Sequence, residues 1–160
     1  MKTNQQQLND RKALRHFLSR YYRAKDRQAH LRRRLSELRR ELDGLGGNPP
    51  SFDNIHGKGQ TGQGAATMAL RIMDIEERIE KQKDAESQII LEVMDVIELL
   101  PVGSVEREII ELRHIDCKSW EAIGQLVHFT RSSCFDNYNK GLDALLGFRK
   151  VRELIGTDRR

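Results

Sequence analysis

The chain has 160 residues, of which 32% are charged and 6% aromatic, with a formal net charge of +4. So few aromatic residues argue against one large compact core, and no apolar run approaches the roughly 18 residues that a membrane span needs. The polar start "MKTNQQQLND" lacks the apolar stretch of a secretory signal, and two cysteines make no disulfide framework, so a reducing, cytoplasmic setting is expected.

Charge is unevenly spread. Residues 1–44 carry 13 Lys/Arg and 5 Asp/Glu, residues 45–100 carry 5 and 10, and residues 101–160 carry 10 and 9. The basic character therefore sits at the N-terminus.

The first element is a long helix. Leu14, Phe17, Tyr21, Ala24, Gln28, Leu31, Leu35, Leu38, Leu42 and Leu45 follow one another at alternating steps of three and four, the spacing of a coiled-coil seam. A second series has the same spacing: Ala65, Met68, Ile72, Ile75, Ile79, Gln82, Glu86, Ile89, Val93, Val96 and Leu100. Two helices of about 55 Å each are implied if some 37 residues of each are helical. Between them, the Gly-rich stretch of residues 46–64 must end one helix and reverse or link the chain.

If the helices fold back on each other, facing positions have numbers that add to 110, as for Leu14 with Val96 and Leu35 with Ile75. The same register sets Gln28 opposite Gln82, a polar layer of the kind that fixes register in an apolar seam. Residues 8–100 thus read as an antiparallel coiled-coil hairpin. Within it, "RQAHLRRRLSELRR" reads as a solvated flank facing an acidic partner helix in preference to a nucleic-acid patch. The loop stretch "HGKGQTGQG" has glycines that could cradle a phosphate, but it lacks a preceding strand and the required Gly-Lys-Ser/Thr order, so it reads as a flexible loop.

Pro101 and Gly103 interrupt the second helix, and Ser104 is placed to cap a short helix that ends near His114. Ile109, Ile110, Leu112 and Ile115 give it apolar cover. After the turn "DCKS", Ser119 caps a second short helix with Trp120, Ile123 and Leu126 on its apolar face. "VHFT" forms the next turn, and Thr130 caps a third helix with Cys134, Leu142 and Leu145 pointing inward. Residues 101–156 therefore read as a three-helix module. A short helix, a tight turn and a capped longer helix is the helix-turn-helix pattern, although a bundle without a DNA role has the same outline.

The stretch from Glu98 to Leu146 resembles sigma-70 region 4. Leu112 and Arg113 match the end of its leucine-rich helix, Ser119, Trp120, Glu121, Ile123 and Gly124 its next helix, and Thr130, Arg131 and Leu142 its recognition helix. The whole order of segments is similar to a phage- and prophage-encoded, sigma-factor-like family of Gram-positive bacteria, related in its C-terminal part to late-gene activators of the ArpU type. This chain departs from the pattern at His128, where Gly is usual, and at Asp136, Asn137 and Gly141 in the recognition helix.

The resemblance implies a non-enzymatic, DNA-binding transcription regulator that reads promoter or operator DNA through residues 130–146. It places Lys118 and Ser119 at phosphates, Thr130 as a cap, and Arg131, Ser132, Ser133, Phe135, Asp136 and Asn139 toward the groove, with Lys140 a further DNA contact. Arg131 is the candidate for bidentate contact with guanine. Double-stranded DNA is the expected partner, and host RNA polymerase and a second copy of the chain are further ones. Neither a cofactor nor a small-molecule substrate nor a membrane is implied. The alternative is an interaction protein that binds RNA polymerase or a phage assembly or packaging component, with the hairpin as its oligomerisation element. His114, Cys117, His128 and Cys134 match no paired-ligand spacing for zinc, and His16, His30 and His56 read as surface or loop residues. No nucleophile and base stand in an enzyme-like pattern.

Overall fold

A computed structural model of the chain describes residues 4–46 and 61–156. Residues 47–60 of the Gly-rich stretch, including His56 and the first part of the candidate phosphate loop, lie outside the described residues, whereas residues 61–64, expected in the loop, are helical. Among those described the protein is all-α, with seven helices and no strand. None of these helices is long and apolar enough to cross a membrane.

Where one long N-terminal helix is expected there are two, α1 (Asn4–Leu18) and α2 (Arg20–Gly46). The interruption is slight. Ser19 N–H still donates to Arg15 O at 3.0 Å and Arg23 N–H to Ser19 O at 3.1 Å, so the hydrogen-bond ladder runs through the junction. The second helix, α3 (Thr61–Ile97), is 37 residues long.

The seam spacing is matched by burial. Leu14, Phe17, Ala24, Gln28 and Leu35 are buried on α1 and α2, as are Ile72, Ile79, Val93 and Val96 on α3. Leu45 is the departure, at 48% exposure. It stands one residue before the end of α2, where little remains to cover it.

The chain forms two compact units. One comprises Ala24–Ala85, the other Met1–Arg23 with Glu86–Arg160. In the first, Leu35, Ile72 and Ile79 form a buried cluster flanked by Leu31, Leu38, Leu42 and Ile75. Gln82 Oε1 is buried there without a hydrogen-bond partner. An amide-to-amide bond from Gln28 to that oxygen is therefore not formed, and the polar layer carries a desolvation cost.

In the second unit, Leu14, Phe17 and Leu18 of α1 join Val93, Val96 and Ile97 of α3 and Leu100 in one core with the C-terminal helices. The compact units consequently divide the chain elsewhere than at residue 101. The apolar ends of the long helices are buried by the short helices that follow, and 101–156 does not have that core to itself.

Helix α4 (Val105–His114) is capped by Ser104, whose Oγ accepts from Arg107 N–H at 3.3 Å. Glu106 and Glu108 in its first turn complement the helix dipole. Helices α5 (Trp120–Val127), α6 (Arg131–Leu146) and α7 (Arg149–Leu154) complete the unit. Helix α5 corrects one expectation, because Leu126 is 53% exposed. Trp120, Ile123 and Val127 pack into the core instead. Steps of three and four bring those residues to one side of a helix, and Leu126 falls off that line.

Helix α7 is short and has no side-chain cap. It is fixed by fully buried Val151 and by Arg152, whose Nη1 donates at 2.9 Å to both Leu146 O and Gly147 O. A cation on the last carbonyls of α6 suits the negative end of that helix.

Candidate nucleic-acid interface

Local chemistry fixes the geometry between α5 and α6. Ser119 Oγ accepts from Ala122 N–H at 3.2 Å and so begins α5. The helix ends at His128, which is left-handed at φ 56° and ψ 38°. The N–H groups of His128 and Phe129 both turn back to Gly124 O, satisfying a carbonyl that the helix end would leave orphaned. Gly124 has no room for a side chain, since a Cβ there would lie 2.8 Å from Phe129 O. Thr130 then caps α6, its Oγ1 accepting from Ser133 N–H at 3.2 Å and donating to Ser133 Oγ at 3.0 Å.

The inner face of α6 carries Cys134, Tyr138, Gly141, Leu142 and Leu145, all buried. Gly141 meets α4 closely: a Cβ there would come 2.7 Å from Ile110 Cδ1 and 3.1 Å from Glu106 Cβ. Any side chain at this position would therefore have to displace α4 atoms.

Tyr138 Oη and His114 Nε2 are 2.8 Å apart in a buried hydrogen bond that ties α6 to α4. Burial, with Arg113 nearby, lowers the His114 imidazole from its ordinary 6.5 to about 3, so it is neutral at physiological pH. Burial raises the Tyr138 phenol to about 12. Trp120 ties α5 to the same helix, with its ring centroid 4.2 Å from Phe135 and 5.2 Å edge-on from Tyr138. Arg113 lies 5.2 Å over the Trp120 ring and donates from Nη1 to Lys118 O at 2.7 Å, which steadies the α4–α5 turn.

Of the residues expected at DNA, Lys118, Ser119, Thr130, Arg131, Ser132, Asp136 and Lys140 are exposed, whereas Ser133, Phe135 and Asn139 are half-buried. Phe135 packs its ring on Trp120 and so serves the α5–α6 junction at least as much as an open face. Seen down α6, Ser132, Asp136, Asn139, Lys140 and Asp143 form a stripe opposite the buried row. Arg131 sits at the helix start, 3.4 Å from Glu121, with both side chains about two-thirds exposed. The Glu121 carboxyl lies below its usual range, first through its own backbone N–H and Ser119 and then through Arg131.

Asp143 is answered from outside the three C-terminal helices. Arg11 of α1 donates Nε to its Oδ1 at 2.6 Å and pairs Nη2 with its Oδ2. The contact raises the Arg11 pKa, chiefly through this hydrogen bond. Among the described residues Asp136 and Lys140 have no ion-pair partner, which leaves them as the unanswered charges of α6.

Three contributors were not singled out from the sequence. Tyr138 stands four residues after Cys134 and four before Leu142, so the inward spacing could have found it. His114 was read as a helix end and weighed for zinc, with no signal of its bond to Tyr138, and no local signal links Arg11 to Asp143. The cysteines and histidines weighed for zinc do not converge, and among the described residues no group of three or more His, Cys, Asp or Glu is placed to hold a metal ion.

Comparison with family models, with curated proteins and with solved structures finds no match for this chain.

Proposed function

We propose that the chain is a non-enzymatic, cytoplasmic, DNA-binding transcription regulator of the phage sigma-factor-like kind, with no cofactor. In this reading α5, the turn at His128 and α6 form a helix-turn-helix like that of sigma-70 region 4, and α2 with α3 forms an antiparallel hairpin. One observation carries it. A left-handed residue joins two helices, each begun by a hydroxyl cap, and the second presents a polar stripe opposite its buried row.

Arg131 is the principal base reader in this reading. Its ion pair with Glu121 is exposed and screened by solvent, so the guanidinium is free to exchange it for guanine O6 and N7. Lys118 and Ser119 supply phosphate contacts from the α4–α5 turn. The test is selection of bound fragments from random DNA with purified protein, followed by Arg131→Ala. The substitution is expected to cost about 1–3 kcal/mol on the selected site and much less on random DNA. Equal loss on both would reduce Arg131 to a phosphate contact.

A second reading is an interaction protein that uses the hairpin to meet a second copy or another partner, such as RNA polymerase or a phage assembly component. Leu70 and Met73, 66% and 64% exposed on α3, favour it. A protein that selects no DNA but sediments as a defined oligomer would support this alternative.

A further inference from the structure

Asp136 occupies a place that a DNA-reading helix should not waste on a carboxylate. It lies near the middle of the exposed stripe of α6, opposite Cys134, Tyr138, Gly141 and Leu142. The other acid of that stripe, Asp143, is neutralised by Arg11, and Glu121 on α5 stands beside Arg131. Nothing within the described protein answers Asp136, and Lys140, one turn along, makes no ion pair with it.

A bare carboxylate carried between two rows of phosphates is repelled by both. The cost is recovered only if the carboxylate accepts a hydrogen bond that the groove floor offers. In the major groove the base-edge donors are the amino groups of cytosine N4 and adenine N6. Adenine N6 lies beside the N7 acceptor, which a carboxylate repels, whereas cytosine presents the donor alone.

We infer that Asp136 is a specificity-determining residue that accepts a hydrogen bond from cytosine N4, selecting C·G at one position of the site and rejecting other sequences by charge repulsion. The inference rests on the DNA-binding reading and deepens it. It makes the near-neutral charge of α6 part of the recognition: general attraction to DNA is kept low, so discrimination comes from the base that relieves the repulsion.

The experiment repeats the random-DNA selection with the full chain carrying Asp136→Ala or Asp136→Asn. Both variants should fold, because the side chain is exposed; thermal melting by circular dichroism checks this. The parent protein should require C·G at one position. Asp136→Ala should lower that preference by about tenfold while binding random DNA more tightly than the parent. Asp136→Asn should move the same position toward adenine, whose N6 and N7 an amide can bridge. If the parent selects a site and both variants keep every base preference, the inference is overturned, and a rise in random-DNA affinity alone would show a merely repulsive charge. If the parent selects no site, the DNA-binding reading itself fails.

Discussion

Arg11, in the first helix, and Asp143, near the end of the sixth, form a two-point ion pair across 132 residues of sequence. The pair marks where α1 lies along α6, but exposed charges contribute little to stability. With side-chain exposures of 26% and 49%, the pair should contribute no more than about 1 kcal/mol. The attachment comes from Leu14 and Leu18, fully buried in the core shared with α4, α5 and α6. Leu14→Ala is therefore expected to cost about 2–5 kcal/mol and Arg11→Ala far less. Trp120 is the only tryptophan of the chain, so its fluorescence in denaturant titrations reports unfolding of the C-terminal helices directly. A Leu14→Ala protein whose Trp120 transition is unmoved would detach α1 from that core.

Burial of the His114 imidazole, with Arg113 nearby, makes stability depend on pH. The folded imidazole titrates at about 3, well below its ordinary 6.5. Its contribution is thus fully present above pH 6.5 and is lost progressively as pH falls from 6.5 toward 3, because the unfolded state takes up the proton first. The slope is at most about 1.4 kcal/mol per pH unit and about half that near pH 6.5, so roughly 1.5 kcal/mol should be lost between pH 6.5 and 5. His114→Gln should flatten that part of the profile in denaturant titrations at several pH values. Tyr138→Phe removes the partner of a buried ring nitrogen and should cost about 1–3 kcal/mol at pH 7. An unchanged pH profile in His114→Gln would assign the acid sensitivity to other groups.

The left-handed turn at His128 is strained for any residue with a Cβ, by roughly 1–2 kcal/mol. Its side chain is exposed, so little packing is lost on replacement. His128→Gly should therefore stabilise the protein, by about 0.5–1 kcal/mol once the greater freedom of glycine in the unfolded chain is subtracted. Thermal melting decides it. A lower melting temperature would mean that the His128 ring contributes a contact beyond the turn.

What was legible in the sequence was mostly local. The three hydroxyl caps at Ser104, Ser119 and Thr130 each bond to a backbone N–H within three residues, and such motifs are read directly from spacing. The seam on α2 and α3 was legible because a heptad repeats its own evidence along many turns. The turn at His128 could be located by the residue usually found there, and the crowding at Gly141 only from the packing of α4. Helix α7 has no side-chain cap to announce it. The grouping of α1 with α6, the Arg11–Asp143 pair and the burial of His114 depend on which surfaces meet, which spacing within one segment does not encode. Leu126 shows the same limit, since on an eight-residue helix the apolar line through Trp120 can be drawn in two ways.

The basic N-terminal segment raises the question of where general affinity for DNA would originate. The long helices place Arg20 on Glu92 at 2.7 Å and pair Arg39 with Glu76, so part of the basic flank does answer the acidic helix. Arg32, Arg33 and Arg34 make no ion pair among the described residues, and Arg33 meets only His30. They belong to the compact unit Ala24–Ala85, whereas α1, with exposed Lys12 and Arg15, shares the unit of α6. Among the described residues of the C-terminal tail, Arg149 pairs with Glu153 and Arg152 caps α6, which leaves few free cations among them. Counterion release gives a log-log salt slope of about −0.9 for each phosphate neutralised. Replacing Lys12 and Arg15 together by Gln should make the slope shallower by about one to two units and weaken cognate and random DNA alike. Replacing Arg32, Arg33 and Arg34 by Gln should leave it unchanged. In the proposed DNA-binding reading, a slope shallower by two or more units in that triple variant, with the Lys12 and Arg15 variant unaffected, would place the phosphate contacts on α2 rather than α1.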